Sequence, residues 1–207
     1  MIESGQNREQ GFTIVELLIA MAMTGIILGS MFTFLIGQRK YLAVQEQVTE
    51  MVQSMRAAMD LMTREIRMAG YDPSGNASAG IVAATADSFR FTMDITDRAT
   101  PPGPPDGRVD GPNEDITYSL YISEGIQKIG RKTGALGRNE PLVENVQTLT
   151  FVYRGADGNV TITPANIRQV QITIMARTAK PDPDYSTNNG YRTYTLTSSI
   201  NLRNLAY

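Results

Sequence analysis

The chain has 207 residues, with 19 Lys and Arg against 21 Asp and Glu, a formal charge of −2 and no basic arm to suit nucleic acid. It contains neither Cys nor His, which rules out cysteine nucleophiles, Ser–His–Asp triads and Cys/His zinc sites. Carboxylates, lysines and tyrosines remain for chemistry, but no cluster of them stands out, and no GxxxxGK[ST] loop offers a nucleotide site.

A polar stretch of ten residues opens the chain, and the apolar run Gly11 to Ile36 follows it. From Leu17 to Ile36 there are 20 consecutive uncharged residues, which as a helix at ~1.5 Å per residue would match a bilayer's hydrocarbon core. The run is too long for an ordinary secretory signal. Its one charge is Glu16. An ionisable group in a membrane segment costs roughly 2.5–3.5 kcal/mol at mid-helix and so calls for a partner. Glu16 either marks the polar edge of the span or pairs with a cation at the same depth. A cut after Gly11 would create such a cation, the amine of Phe12, on a neighbouring copy. Gly25 and Gly29 have the small-xxx-small spacing that lets helices approach closely in lipid, although glycine is also tolerated in such helices for no special reason. Arg39 and Lys40 follow the span and Arg8 precedes it, so charge does not fix its orientation.

The helix is expected to continue past the span. Val44, Val48, Met51, Met55, Met59, Met62 and Ile66 recur at steps of three and four, with Gln45, Glu46, Glu50, Gln53, Asp60, Arg64 and Arg67 opposite. Such a methionine stripe packs more often on a sheet of its own domain than on a partner. Gly70 and then Asp72-Pro73 supply the stop.

Beyond Gly70 the period becomes alternating. Phe89, Phe91, Met93 and Ile95 share one face, as do Ile116, Tyr118, Leu120 and Ile122. Leu149, Phe151 and Tyr153 lead to an Asp157-Gly158 turn and then Val160 and Ile162, a hairpin signal. Val170 to Ala176 and Tyr194 to Leu202 give the last two strands. The roughly six to eight strands predict an antiparallel sheet region packed on the amphipathic helix, an α+β architecture. Two loops interrupt it. Ala99 to Asp115 holds five prolines, and Lys180 to Gly190 holds Asp182, Asp184, Asn188 and Asn189. These four are weak calcium candidates, since their spacing is not that of an EF-hand and Asp and Asn are ordinary turn residues.

The hexapeptide Gly11-Phe12-Thr13-Ile14-Val15-Glu16 resembles the GFTLxE cleavage motif of type IV prepilins and type II secretion pseudopilins. The resemblance implies cleavage after Gly11 by prepilin peptidase, N-methylation of Phe12 and a requirement for Glu16 in assembly. The leader departs from the usual basic pattern, because Glu3 and Glu9 outweigh Arg8. Met62 to Asp72 (MTREIRMAGYD), Asn166 to Arg177 and Tyr194 to Asn204 are similar to PilW-type minor pilins, with J-type secretion pseudopilins as the nearest alternative.

The family implies a pilin-like fold with four parts: a leader at 1–11, a transmembrane helix at 12–37, its amphipathic half at 38–70 and a β-rich head at 71–207. It further implies a non-catalytic, cofactor-free subunit that primes pilus assembly. The chain would cross the inner membrane once with its C-terminal part periplasmic, then move to the pilus, at its tip. Its partners would be prepilin peptidase, other minor pilins, the major pilin and the inner-membrane assembly platform, with no nucleic acid. A membrane-tethered periplasmic domain is the reading from another class.

Overall fold

The computed structural model describes residues 11–99 and 101–205; of the expected leader only Gly11 lies inside that range. The chain divides into two units, Met1–Glu46 and Gln47–Tyr207. One helix, α1 (Ile14–Arg67), begins in the first unit and ends in the second.

In the first unit α1 shows no buried residue. Its apolar side chains point outward on every side, with Ile14, Leu17, Met23, Ile27, Phe32 and Ile36 all more than half exposed. The helix is long and apolar enough to cross a membrane, with a mean hydropathy of 2.1 over its best window. Three hydroxyls within it turn back on the backbone: Thr24 donates to Ala20 O, Ser30 to Ile27 O and Thr33 to Gly29 O. This removes donors that would otherwise face lipid.

In the second unit, α1 buries the expected stripe. Met51, Met55, Ala58, Met59, Met62 and Ile66 are buried, and Val48 packs against them. The helix stops at Arg67, and Gly70 adopts φ +76 and donates its N–H to Thr92 O. A side chain there would be strained in φ and would meet Leu205 Cδ2 at 2.3 Å.

Among the described residues eight strands follow, every neighbouring pair antiparallel. A five-stranded sheet runs in sequence order: β1 (Ile81–Ala84), β2 (Ser88–Thr92), β3 (Asp115–Ser123), β4 (Ile126–Thr133) and β5 (Glu140–Glu144). A three-stranded sheet follows, with β6 (Val146–Arg154), β7 (Gln169–Arg177) and β8 (Thr193–Asn201). One residue separates the sheets. Asn145, at φ 56, takes the left-handed conformation that lets the chain leave one sheet for the other. Glu124 and Gly125 both have positive φ between β3 and β4, as a type I′ hairpin turn requires.

The sheets share one core. Phe89 of β2 meets Phe151 and Tyr153 of β6, with ring centroids 5.9 and 5.4 Å apart, and Phe91 stacks beside it at 5.4 Å. The buried Tyr153 hydroxyl donates to Thr85 O at 2.7 Å.

Two expectations need correction. Val160 and Ile162 form no strand: after a single bridge between Arg154 and Val160 the chain meets Pro164, and both side chains stay exposed. Ile122, expected on the core face of β3, lies at the hairpin tip and is 73% exposed.

Candidate functional site

The hexapeptide at residues 11–16 is built around the start of α1. Gly11, Phe12 and Thr13 precede the helix, and the Phe12 side chain is 90% exposed. Thr13 is the N-cap, with Glu16 at the third helical position. The Glu16 N–H donates to Thr13 Oγ1 at 3.2 Å, while the Thr13 N–H and hydroxyl both donate to Glu16 Oε2 at 2.9 Å. This is a capping box, in which two of the orphan N–H groups at a helix start are satisfied reciprocally. The carboxylate also sits where the helix dipole favours negative charge. This cap was missed in the sequence, where the Thr-x-x-Glu spacing is the signal for it.

The geometry therefore gives Glu16 a local task beside any intermolecular one. Among the described residues its hydrogen bonds use only Oε2, so Oε1 is open to a further donor. Phe12 directly precedes the cap, so an amine at Phe12 would form at the same end of the helix. Gly25 and Gly29 lie farther along α1, and a side chain at either would meet nothing within 4 Å.

The second charged feature is at the other end of α1. Glu65 receives Arg131 Nη2 at 2.8 Å on Oε1, Arg131 Nε at 3.0 Å on Oε2 and the Tyr118 hydroxyl on Oε2. Asn113 Oδ1 accepts from Arg131 Nη2 at 2.9 Å. Burial, then the adjacent Glu65 charge, pushes the Tyr118 phenol well above its ordinary range. With both carboxylate oxygens occupied, this network fastens α1 to β3 and β4.

The proline-rich loop is held in a way that composition did not show. Pro101, Pro102, Pro104, Pro105 and Pro112 have no N–H to satisfy, and five of the N–H groups between them end on carboxylates. Gly103 donates to Asp97, Asp106 and Gly107 to Asp94, and Gly111 to Glu114. Glu114 Oε1 also receives the N–H groups of Ile95 and Thr96 at 2.8 and 2.9 Å. Asp94 and Glu114 are fully buried, and their oxygens serve this backbone.

The calcium candidates are arranged differently from a cation cage. Asp182 Oδ2 accepts from Arg192 Nη2 at 2.8 Å, and its Oδ1 accepts the Asp184 N–H at 3.0 Å. Asn188 and Asn189 take left-handed conformations in a short turn, at φ 51 and 54. Among the described residues no three carboxylates converge where a metal ion could sit.

Residues 6–32 match the prokaryotic N-terminal methylation motif. Among solved structures, a type IV-like pilin from Thermus thermophilus is similar at 12% identity with a TM-score of 0.48, over 75% of this chain and 98% of that one. No curated protein matches the chain. The chain thus carries a prepilin-type methylation motif at the head of an apolar helix, the mark of a structural subunit and not of an enzyme.

Proposed function

We propose that the chain is a minor pilin, a non-catalytic subunit that primes assembly of a type IV pilus. The match of residues 6–32 to the methylation motif carries this reading, with Phe12 exposed just ahead of the helix and Glu16 in its first turn. Prepilin peptidase cuts after Gly11 and methylates the Phe12 amine. The apolar half of α1 holds the chain in the inner membrane with the C-terminal body periplasmic, until it passes to the pilus tip and the cell surface. There Glu16 keeps its own helix capped through Oε2 and takes the Phe12 amine of a neighbour on Oε1. Gly25 and Gly29 let neighbouring helices approach. Its partners are the other minor pilins, the major pilin and the inner-membrane assembly platform.

Mass spectrometry of the N terminus, on protein from its own host, tests this first. N-methylated Phe12 is the expected product. An intact Met1 on membrane-embedded protein would replace the proposal with a tethered periplasmic domain. A J-type pseudopilin of a type II secretion system would be processed in the same way. Deleting the gene separates the two: loss of surface pili supports the minor pilin, and loss of protein export with pili intact supports the pseudopilin.

A further inference from the structure

Among the described residues the body has two open sheets and therefore four edges, and three of them are closed. β1 has only four residues, carries a register shift between Ile81 and Ala83, and lies beside the Pro164–Asn166 turn. β5 contains Pro141 and carries two charges, Glu140 and Glu144. β6 donates its Phe151 N–H to Ala86 O, and its Tyr153 O accepts from Thr161 N–H. These are the ordinary devices that keep an edge from recruiting another strand.

β8 has none of them. Its nine residues, TYTLTSSIN, include no proline and no charge, and they pair with β7 without a register break. The bonds Thr178 N–H to Arg192 O and Leu202 N–H to Arg168 O fix which residues face β7. By the alternation of an antiparallel ladder, Tyr194, Leu196, Ser198 and Ile200 turn their backbone groups inward. Thr193, Thr195, Thr197, Ser199 and Asn201 turn theirs outward. Among the described residues no strand lies on that side. The side chains of these five are hydroxyls and one amide, so nothing charged guards the row.

We propose that β8 docks a neighbouring, non-identical subunit by strand addition, adding a fourth strand to the small sheet. An edge of this kind recognises backbone, so the occupant is an extended segment without charges at the facing positions. Two observations direct it to a different subunit. A second copy pairing β8 to β8 needs a two-fold axis, which a row of subunits built by one repeated screw operation lacks. Head-to-tail pairing of the sheets of two copies needs a second open edge, and β1, β5 and β6 are closed. This inference rests on the filament-subunit reading.

The test uses the full-length chain in its host. Amide hydrogen exchange is compared between sheared filaments and the detergent-solubilised chain. The amides of Thr193, Thr195, Thr197, Ser199 and Asn201 should exchange at least about tenfold more slowly in the filament fraction. Equal rates overturn the proposal. Thr197→Pro removes an N–H that faces away from β7, and Thr195→Lys places a charge on the edge. Both should cut incorporation at least about tenfold, a shift of ~1.4 kcal/mol, whereas Thr173→Lys, on the central strand of the same face, should not. Incorporation of both edge variants at the wild-type level overturns it. Since Thr197→Pro could weaken the fold, a lowered melting temperature leaves the decision to Thr195→Lys and the exchange rates. The chain lacks cysteine, so Thr197→Cys gives a clean reporter, and a disulfide between two copies would overturn the choice of a non-identical partner. If the wild-type chain itself is missing from filaments, the filament reading fails, and the same exchange criterion is applied to the membrane-embedded chain.

Discussion

Residues 14–46 and 47–67 belong to one helix and differ in what surrounds them. The first stretch is apolar on all sides and exposed, while the second buries one methionine-rich stripe in a core of its own chain. The same contrast holds for a glutamate near each end. Glu65 has both oxygens taken by Arg131 and Tyr118, whereas Glu16 uses one oxygen on Thr13 and leaves the other open. The second half is complete within the chain. The first half has apolar surface and hydrogen-bonding capacity that only molecules outside it can satisfy.

The comparison is tested most severely at Glu16. Glu16→Gln keeps an acceptor for the Thr13 N–H and removes the charge, while Glu16→Ala removes both. If the open oxygen serves a neighbour's amine, both variants are cut after Gly11, yet both enter filaments at least about tenfold less than wild type, equivalent to ~1.4 kcal/mol. Immunoblots of sheared filaments measure this. Rescue by Gln alone would assign Glu16 to capping and remove the charge-pairing role. The cap itself is worth only about 1 kcal/mol, so thermal unfolding of the body should hardly change.

At the closed end, Arg131→Ala leaves a mostly buried Glu65 carboxylate without its cation. Breaking such a pair costs about 3–5 kcal/mol, which chemical denaturation of the detergent-solubilised chain would read directly. Replacing both partners with leucine should recover much of the loss, because a matched apolar pair leaves no uncompensated charge. No recovery would mean that the network sets the fold's geometry as well as its charge balance.

Two methionines on the same helix sharpen the contrast. Met62 is fully buried, so Met62→Ala should cost about 2–5 kcal/mol through lost burial and the cavity left behind. Met23 is 61% exposed, so Met23→Ala should stay within about 0.5 kcal/mol. Equal costs in the same denaturation measurement would show that the exposed half is packed within the chain after all.

How far these features could be read from sequence depended on whether the pattern was local. The apolar run, the methionine stripe and Gly70 are written in residues one to four apart, and helix, buried face and stop all lie where they predict. β2, β3, β6, β7 and β8 were visible through alternation. β4 was not, because IQKIGRKT carries glycine and cations at buried positions. Lys128 and Arg131 enter there only with Glu144 and Glu65 as partners, and Gly130 lies under the Tyr121 ring. The hairpin expected at Asp157-Gly158 has the right turn residue, at φ +77, yet Pro164 ends the pairing after one bridge. The Glu16 cap was not foreseen, although its Thr-x-x-Glu spacing is a local signal. The carboxylates that hold the proline-rich loop carry no such signal, since the acceptors and the N–H groups they serve are up to 19 residues apart.

The smallest effect is in the alkaline range and separates buried from exposed tyrosines. Tyr118 and Tyr153 are buried, and burial raises both phenols above the ordinary value near 10. A phenol that holds its proton more tightly in the folded state adds stability that is fully present below the unfolded pKa. That stability falls as pH rises past about 10, by up to about 1.4 kcal/mol per pH unit for each phenol. Absorbance at 295 nm should therefore show two of the nine tyrosines ionising only with loss of structure. Tyr118→Phe and Tyr153→Phe should each remove one phenol from that late step. A single smooth titration of all nine with the fold intact would mean that solvent reaches the interface between α1 and the sheets. The body would then be as incomplete within its own chain as the first half of the helix.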